Sequence, residues 1–144
     1  MQLTRYTDYA LRVLVYLGSA ESGTTASAAE IAKFYGISRN HLSKVVSMLS
    51  EQELVIAARG RGGGIRLSVD PKDLCIGDLV RQTENLSLVE CFNLETNTCP
   101  IASDCTLERL LQDASKAFLA VLDKMTLADL LPASQALQQI RLTR

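Results

Sequence analysis

SAAEIAKFYGISRNHLSKVVSMLS, residues 27–50, decides how this chain folds. Ser27 and Glu30 are spaced as a capping box, in which the hydroxyl and the carboxylate each take a free amide at a helix start. Ile31 and Phe34 give that short helix its apolar side. Gly36 falls where a helix end needs a left-handed residue, which a side chain disfavours. Ser38 is placed to cap a second helix, Arg39 to about Ser50, with Leu42, Val45, Val46 and Leu49 on its inward stripe. Two helices joined by a tight glycine-containing turn predict a helix-turn-helix.

Working outward, Leu54–Ala58 and Ile65–Val69 read as two short strands around the loop from Arg59 to Gly64. A helix-turn-helix followed by a basic, glycine-rich hairpin predicts a winged helix. Upstream, Thr4 to Ala20 places Tyr6, Tyr9, Ala10, Val13, Leu14 and Leu17 on one helical stripe, expected to be buried. Downstream, Pro71 closes the wing and Ile76, Leu79 and Val80 suggest a short helix, before an irregular stretch over 85–105. Leu107 to about Met125 follows the i, i+3, i+4, i+7 rule most closely, through Leu110, Leu111, Ala114, Phe118, Val121 and Leu122. A helix of that length, on the order of 28 Å, set after a small domain, is expected to pack against a partner. Thr126–Asp129 starts one more turn, Pro132 ends it, and the Gln-rich tail is expected to fray. The expected fold is therefore mainly α with a small β-hairpin wing. Three segments follow: a winged helix over 1–84, a cysteine loop over 85–105, and a dimerisation helix with its tail over 106–144.

Charge is segregated along the 144 residues. Residues 1–69 hold eight Lys or Arg against five Asp or Glu, and residues 70–144 hold seven against eleven. DNA binding depends on such local basic surface rather than on the net charge of −1. No run nears the roughly 18 apolar residues of a membrane span, and the N-terminus lacks leader architecture, so a cytoplasmic protein is expected. Stable disulfides are rare in that compartment, and four cysteines call for another explanation. A thiol oxidoreductase would need a C-x-x-C or a Cys/His pair. Neither exists, and an enzyme is not expected.

The second helix of the motif offers Ser38, Arg39, Asn40, His41, Ser43 and Lys44 on its outward face. Arg and Asn can make bidentate contacts to guanine and adenine edges, while Ser and Lys can hold phosphates. The wing adds Arg59, Arg61, Gly62 and Gly63, a loop suited to a narrow minor groove. Double-stranded DNA is the expected partner. His41, the one histidine, lies among polar residues, so a DNA-facing or idle role is favoured over metal binding.

Cys91, Cys99 and Cys105 share one loop just before the long helix. Structural zinc uses tighter pairs, and iron–sulphur clusters usually take four ligands. An incomplete thiolate set suits a sensor with one open position. Spacing alone leaves two alternatives: buried cysteines without a role, or a redox thiol pair. Cys75, between Leu74 and Ile76, reads as a packed apolar residue.

Together these segments resemble the Rrf-two family of bacterial winged-helix regulators. The matching stretches are LTRYTDYALRVL (3–14), EIAKFYGISRNHLSKVV (30–46), ARGRGGGIRL (58–67), IGDLVR (76–81), SLVEC (87–91), the Cys99-Pro and Cys105-x-Leu pairs, and AFLAVLDKMTLADLL (117–131). The resemblance is closest to the nitric-oxide-sensing repressors of that family. It implies a homodimer crossing through the long helix, with an iron–sulphur cluster on Cys91, Cys99 and Cys105 of each subunit. The cluster is expected to be [4Fe-4S], with [2Fe-2S] as the alternative. Asp8, donated by the other subunit, stands at the position of a fourth ligand, with Arg12 one turn later to orient it; the plain alternative is an Asp8–Arg12 helix pair. Nitric oxide is the implied effector, releasing the operator when it attacks the cluster. Glu108 stands where the cluster-biogenesis branch of the family carries a histidine, so a site of that kind is not expected. The seven-residue gap between Cys91 and Cys99 is shared with iron-responsive relatives. That leaves iron or cluster status as an alternative signal, beside cluster-free thiol redox.

Overall fold

A computed structural model describes residues 2–21, 23–58, 63–93, 95–101 and 104–131. The chain divides into two compact units. One comprises residues 1–74 together with 126–144, and the other residues 75–125.

In the first unit, α1 (Arg5–Gly18) starts at Thr4, whose hydroxyl accepts the Thr7 amide at 3.3 Å. It buries Thr7, Ala10, Val13, Leu14, Tyr16 and Leu17. The expected stripe thus holds from Ala10 onward, but Tyr6 is exposed and Thr7 takes the inward place. At 100° per residue Thr7 lies in line with Ala10 and Leu14, so it takes the inward place at the start of the helix and Tyr6 stays at the edge of the stripe.

α2 (Ala28–Tyr35) carries the expected capping box. The Glu30 amide donates to the Ser27 hydroxyl at 3.2 Å and the Ser27 amide donates to Glu30 Oε2 at 2.6 Å. Gly36 ends it at φ 65°, where a Cβ would be strained, and the Ile37 amide closes back onto Ala32 O at 2.9 Å. α3 (Arg39–Glu51) buries Leu42, Val45, Val46 and Leu49 as expected. Ser38 occupies the position before it but makes no side-chain capping bond, so its expected capping role is corrected. Tyr16, Phe34 and Tyr35 pack edge to face, with centroids 5.1 Å (Tyr16–Phe34) and 4.8 Å (Phe34–Tyr35) apart.

β1 (Val55–Ala58) pairs antiparallel with β2 (Gly64–Leu67), from Val55 opposite Leu67 to Ala58 opposite Gly64. Ala26 and Ile65 exchange backbone bonds of 2.9 and 2.8 Å, tying β2 to the residue before the capping box. Gly64 is required at this crossing, because a Cβ there would lie 2.8 Å from the Thr25 Cβ. α6 (Leu127–Leu130) completes the unit. Its Leu127 is fully buried, the Leu127 and Ala128 amides donate to Leu74 O and Pro71 O, and Leu131 lies against Gly18.

In the second unit, α4 (Ile76–Thr83) buries Ile76, Gly77, Leu79 and Val80. A single 3-10 turn, Glu90–Phe92, interrupts the irregular stretch. α5 (Thr106–Leu122) ends three residues before the expected Met125; Asp123 caps it with its amide still donating to Leu119 O at 2.8 Å. Arg81 donates to both Asp123 oxygens, at 2.6 and 2.7 Å. The Ile76 amide donates to Met125 O at 3.0 Å, so the first and last turns of the unit are held together. No residue of α5 is buried. Leu107, Leu110 and Val121 are 60, 63 and 62% exposed. The expected ending at Pro132 and the Gln-rich tail lie outside the described residues. No helix among the described residues is long and apolar enough to cross a membrane.

Candidate nucleic-acid interface and cysteine site

α3 sorts its side chains as a groove-reading helix must. Leu42, Val45, Val46 and Leu49 anchor it inward, while Ser38, Arg39, Asn40, His41, Ser43 and Lys44 are all exposed. Neither Arg39 nor Lys44 takes part in an ion pair among the described residues, so these cations are available to an outside anion. On the wing, Gly63 is exposed beside β2, and Arg66 is exposed on β2 itself. Arg59, Arg61 and Gly62 lie outside the described residues.

Asp8 is half-buried on α1 and held by Arg12 through two contacts of 2.9 Å. The Arg12 guanidinium lies over the Tyr35 ring, 5.7 Å from its centroid, and the bonds to Asp8 raise its already high pKa. The plain helix pair foreseen for Asp8 is therefore formed. A cleft of about 570 Å³ opens beside it, lined among others by Asp8, Arg12, Tyr35 and Ile37. For Asp8 to bind anything else, a ligand must share or displace Arg12.

In the second unit, Cys91, Cys99 and Cys105 are all half-buried and free. Cys91 lies in the 3-10 turn, the Cys99 amide donates to Asn97 Oδ1 at 3.0 Å, and Cys105 immediately precedes α5. Burial pushes the Cys91 thiol up from its ordinary pKa, and Glu108, Cys105 and Cys99 push it further. The three sulphurs and the Glu108 carboxylate thus share one electrostatic neighbourhood. The Gln112 amide orients Glu108 by donating to its Oε1 at 3.0 Å. Residue spacing gave no reason to single out Glu108 as a neighbour of Cys91.

Four thiolates around one zinc, at Zn–S of about 2.3 Å, sit roughly 3.8 Å apart. The one set of three metal-binding side chains within 4.8 Å of one another, among the described residues, is Cys75, Asp78 and Asp123 rather than the loop cysteines. There the cation is already present, because Arg81 spans Asp123 and reaches Asp78 at 3.3 Å. Cys75 is not fully packed as expected: it is half-buried, with its sulphur 3.9 Å from Asp123 O. The loop thiols do not reach single-ion spacing, although Cys99 and Cys105 both act on Cys91. Such a set fits a group with several irons, each taking its own thiolate.

Residues 3–133 match the sequence model of the Rrf2 family, described as "Iron-dependent Transcriptional regulator". The chain is 46% identical over 141 residues, 97% of both chains, to the "HTH-type transcriptional regulator NsrR" of Bacillus subtilis (strain 168). It is 48% identical over 141 residues, again 97% of both, to a protein of the same name from Halalkalibacterium halodurans. Among solved structures, "T. potens IscR" superposes with a TM-score of 0.72 over 90% of this chain and 85% of that one; at 23% identity it speaks for the fold alone. CymR (YrzC), "the Global Cysteine Regulator of B. subtilis", superposes with a TM-score of 0.67 at 28% identity, covering 90% of this chain and 95% of its own.

Proposed function

The chain belongs to the Rrf2 family and is a DNA-binding regulator of transcription rather than an enzyme, and from that premise we propose that it is a homodimeric repressor that leaves its operator in response to nitric oxide. The observation that carries the sensing half is the shared neighbourhood of Cys91, Cys99 and Cys105, three half-buried free thiols of which the latter two both act on Cys91. These residues would hold an iron–sulphur cluster, with the partner subunit's Asp8 as fourth ligand. The cluster supplies iron that nitric oxide can attack, with [4Fe-4S] favoured over [2Fe-2S].

The remaining parts belong to the chain itself. Arg39 and Asn40 read base edges, Ser38, His41, Ser43 and Lys44 steady α3 against the groove, and Arg59, Arg61, Gly62 and Gly63 enter the minor groove. Two copies must present their α3 helices about 34 Å apart, one turn of DNA. The exposed apolar side of α5, with Leu107, Leu110 and Val121, is the surface on which they associate. Cys105 is the residue before α5, so tying the three thiols fixes the start of that helix, and freeing them releases it. A ligand shifts the dimer towards the DNA-competent form only through such a difference between its two states.

The test is an anaerobic absorption titration of the purified chain with nitric oxide, with iron and sulphide counted first. Visible bands that bleach in proportion to added nitric oxide, and a Cys99→Ser variant that lacks them, are expected. A colourless protein that cannot be reconstituted would leave a winged-helix DNA binder whose cysteines act as thiols.

A further inference from the structure

Between α1 and α3 lies a cavity of about 230 Å³ that the base-reading residues do not explain. Arg5, Tyr6, Tyr9, His41, Lys44 and Val45 line it. Arg5 opens α1 and Lys44 sits one turn into α3, so two helices bring their cations to the same hollow. No acidic side chain lines it, and neither Arg5 nor Lys44 is ion-paired among the described residues. Asp8, the nearest acid on α1, is occupied by Arg12. The floor is apolar, made by the buried Val45 and the rings of Tyr6 and Tyr9.

From this arrangement we infer that the hollow seats one phosphodiester of the operator's backbone, with Arg5 and Lys44 on its oxygens, Tyr6 donating to it, and the tyrosine rings against the adjoining sugar. The inference rests on α3 docking in the major groove. His41 and Lys44 share the exposed face of α3 with Arg39 and Asn40, so a helix that offers its N-terminal residues to base edges carries this hollow along the groove's flank. An open hollow with cations at its rim and ring faces below matches a charged oxygen pair attached to an apolar sugar. Burial and the charge of Glu51 both push the Tyr6 phenol up, which keeps it protonated and able to donate. Tyr6 is 38% exposed although it belongs to the apolar face by composition. An aromatic held half-open beside unpaired cations is better explained by a ligand than by packing.

A backbone contact and a base contact leave different signatures. Neutralising one phosphate changes affinity for every sequence alike and changes the slope of log K against log salt by about 0.9. The experiment compares the cluster-loaded full chain with Arg5→Gln, Arg5→Lys, Tyr6→Phe and Asn40→Ala. Each is titrated by fluorescence anisotropy, across a salt series, on a duplex that the wild-type protein selects from a random pool and on a scrambled duplex of equal composition. Arg5→Gln is expected to weaken both duplexes by the same factor, about three- to tenfold at moderate salt, and to flatten the salt slope by about one. Arg5→Lys keeps the slope. Tyr6→Phe weakens both duplexes by a smaller common factor with the slope unchanged, whereas Asn40→Ala weakens the selected duplex preferentially. Wild-type affinity and slope in Arg5→Gln would overturn the phosphate seat while leaving the regulator's DNA binding intact. A loss confined to the selected duplex would make Arg5 a base reader and overturn it as well. A wild-type chain that selects no duplex would sink both the seat and the reading on which it rests.

Discussion

α1 and α5 are similar amphipathic helices that end in opposite circumstances. α1 has 14 residues and buries six of them; α5 has 17 and buries none. The first lies in a unit that closes its own core, with Leu14, Ile31, Leu42, Leu49 and Leu127 fully buried. The second lies in a unit whose buried apolar residues, among those described, are confined to α4 and whose long helix leaves Leu107, Leu110 and Val121 in the open. An apolar stripe therefore states which face wants cover, and not whether this copy of the chain provides it. Side chains of equal hydrophobicity stabilise the fold in one helix and are available for association in the other.

That contrast is open to direct attack by truncating one leucine in each helix. Leu14→Ala removes a fully buried side chain and should cost about 2–5 kcal/mol. At about 4–8 °C per kcal/mol for a domain of this kind, the melting temperature should fall by roughly 10 °C or more. Leu110→Ala alters a residue that is 63% exposed, and in dilute solution should stay within about 0.5 kcal/mol of wild type. Thermal unfolding at several protein concentrations separates the two. A Leu110→Ala effect that grows with concentration sharpens the contrast, because it assigns the α5 face to a second copy. A Leu110→Ala effect as large as that of Leu14→Ala at the lowest concentration would break it.

A smaller effect is expected where the cysteine unit is closed most tightly. A Cβ on Gly77 would fall 1.9 Å from Asp123 Oδ1 and 3.0 Å from Arg81 Nη1. The Asp123 carboxylate can swing aside, but only by giving up the paired bonds from Arg81. Gly77→Ala should therefore destabilise at the lower end of the about 1–3 kcal/mol that overpacking costs. Urea unfolding of Gly77→Ala, Asp123→Asn and the double variant tests the cause. The double variant should be no worse than the more damaging single one, since both act through one contact. Full additivity would mean that Gly77 is needed for some other reason.

Much of this molecule was legible because its signals are local. Ser27, Glu30 and Gly36 act on amides and dihedrals within a few residues of themselves, and each stands where the sequence put it. The α3 stripe from Leu42 to Leu49 was legible because the unit that covers it is built from the same segment of chain. What escaped depends on distant partners. Asp123, the residue that caps α5, is held by Arg81, 42 positions upstream, a pairing that no local pattern announces. α6 returns to α1 through Leu127 and the Gly18–Leu131 contact, which no periodicity near residue 127 announces. The same holds at the candidate sites. Cys91, Cys99 and Cys105 were found by composition, whereas Glu108 beside Cys91 and the hollow under Arg5 and Lys44 required the fold. Tyr6 was misplaced because an aromatic on a helix reads as core unless its covering neighbours are known.

The smallest expected effect compares one carboxylate from each unit. Asp123 is held below the ordinary carboxylate range by its bonds to Arg81, and Asp129 by bonds from the Thr126 amide and hydroxyl. Both bind fewer protons in the folded chain than in the unfolded one. Their contributions are therefore present above the unfolded pKa, about 3.9, and are lost as pH falls through the lower folded value. Salt tells them apart. The Arg81–Asp123 pair is exposed to solvent and its attraction is screened, whereas Asp129 accepts from groups without net charge. In thermal melts between about pH 3 and pH 7, the gap between wild type and Asp123→Asn should narrow with falling pH and also with added salt. The gap for Asp129→Asn should narrow with falling pH alone. A salt-insensitive Asp123 gap would mean that the base of the cysteine unit is drier in solution than its exposed side chains imply, and the two units would then differ less than α1 and α5 suggest.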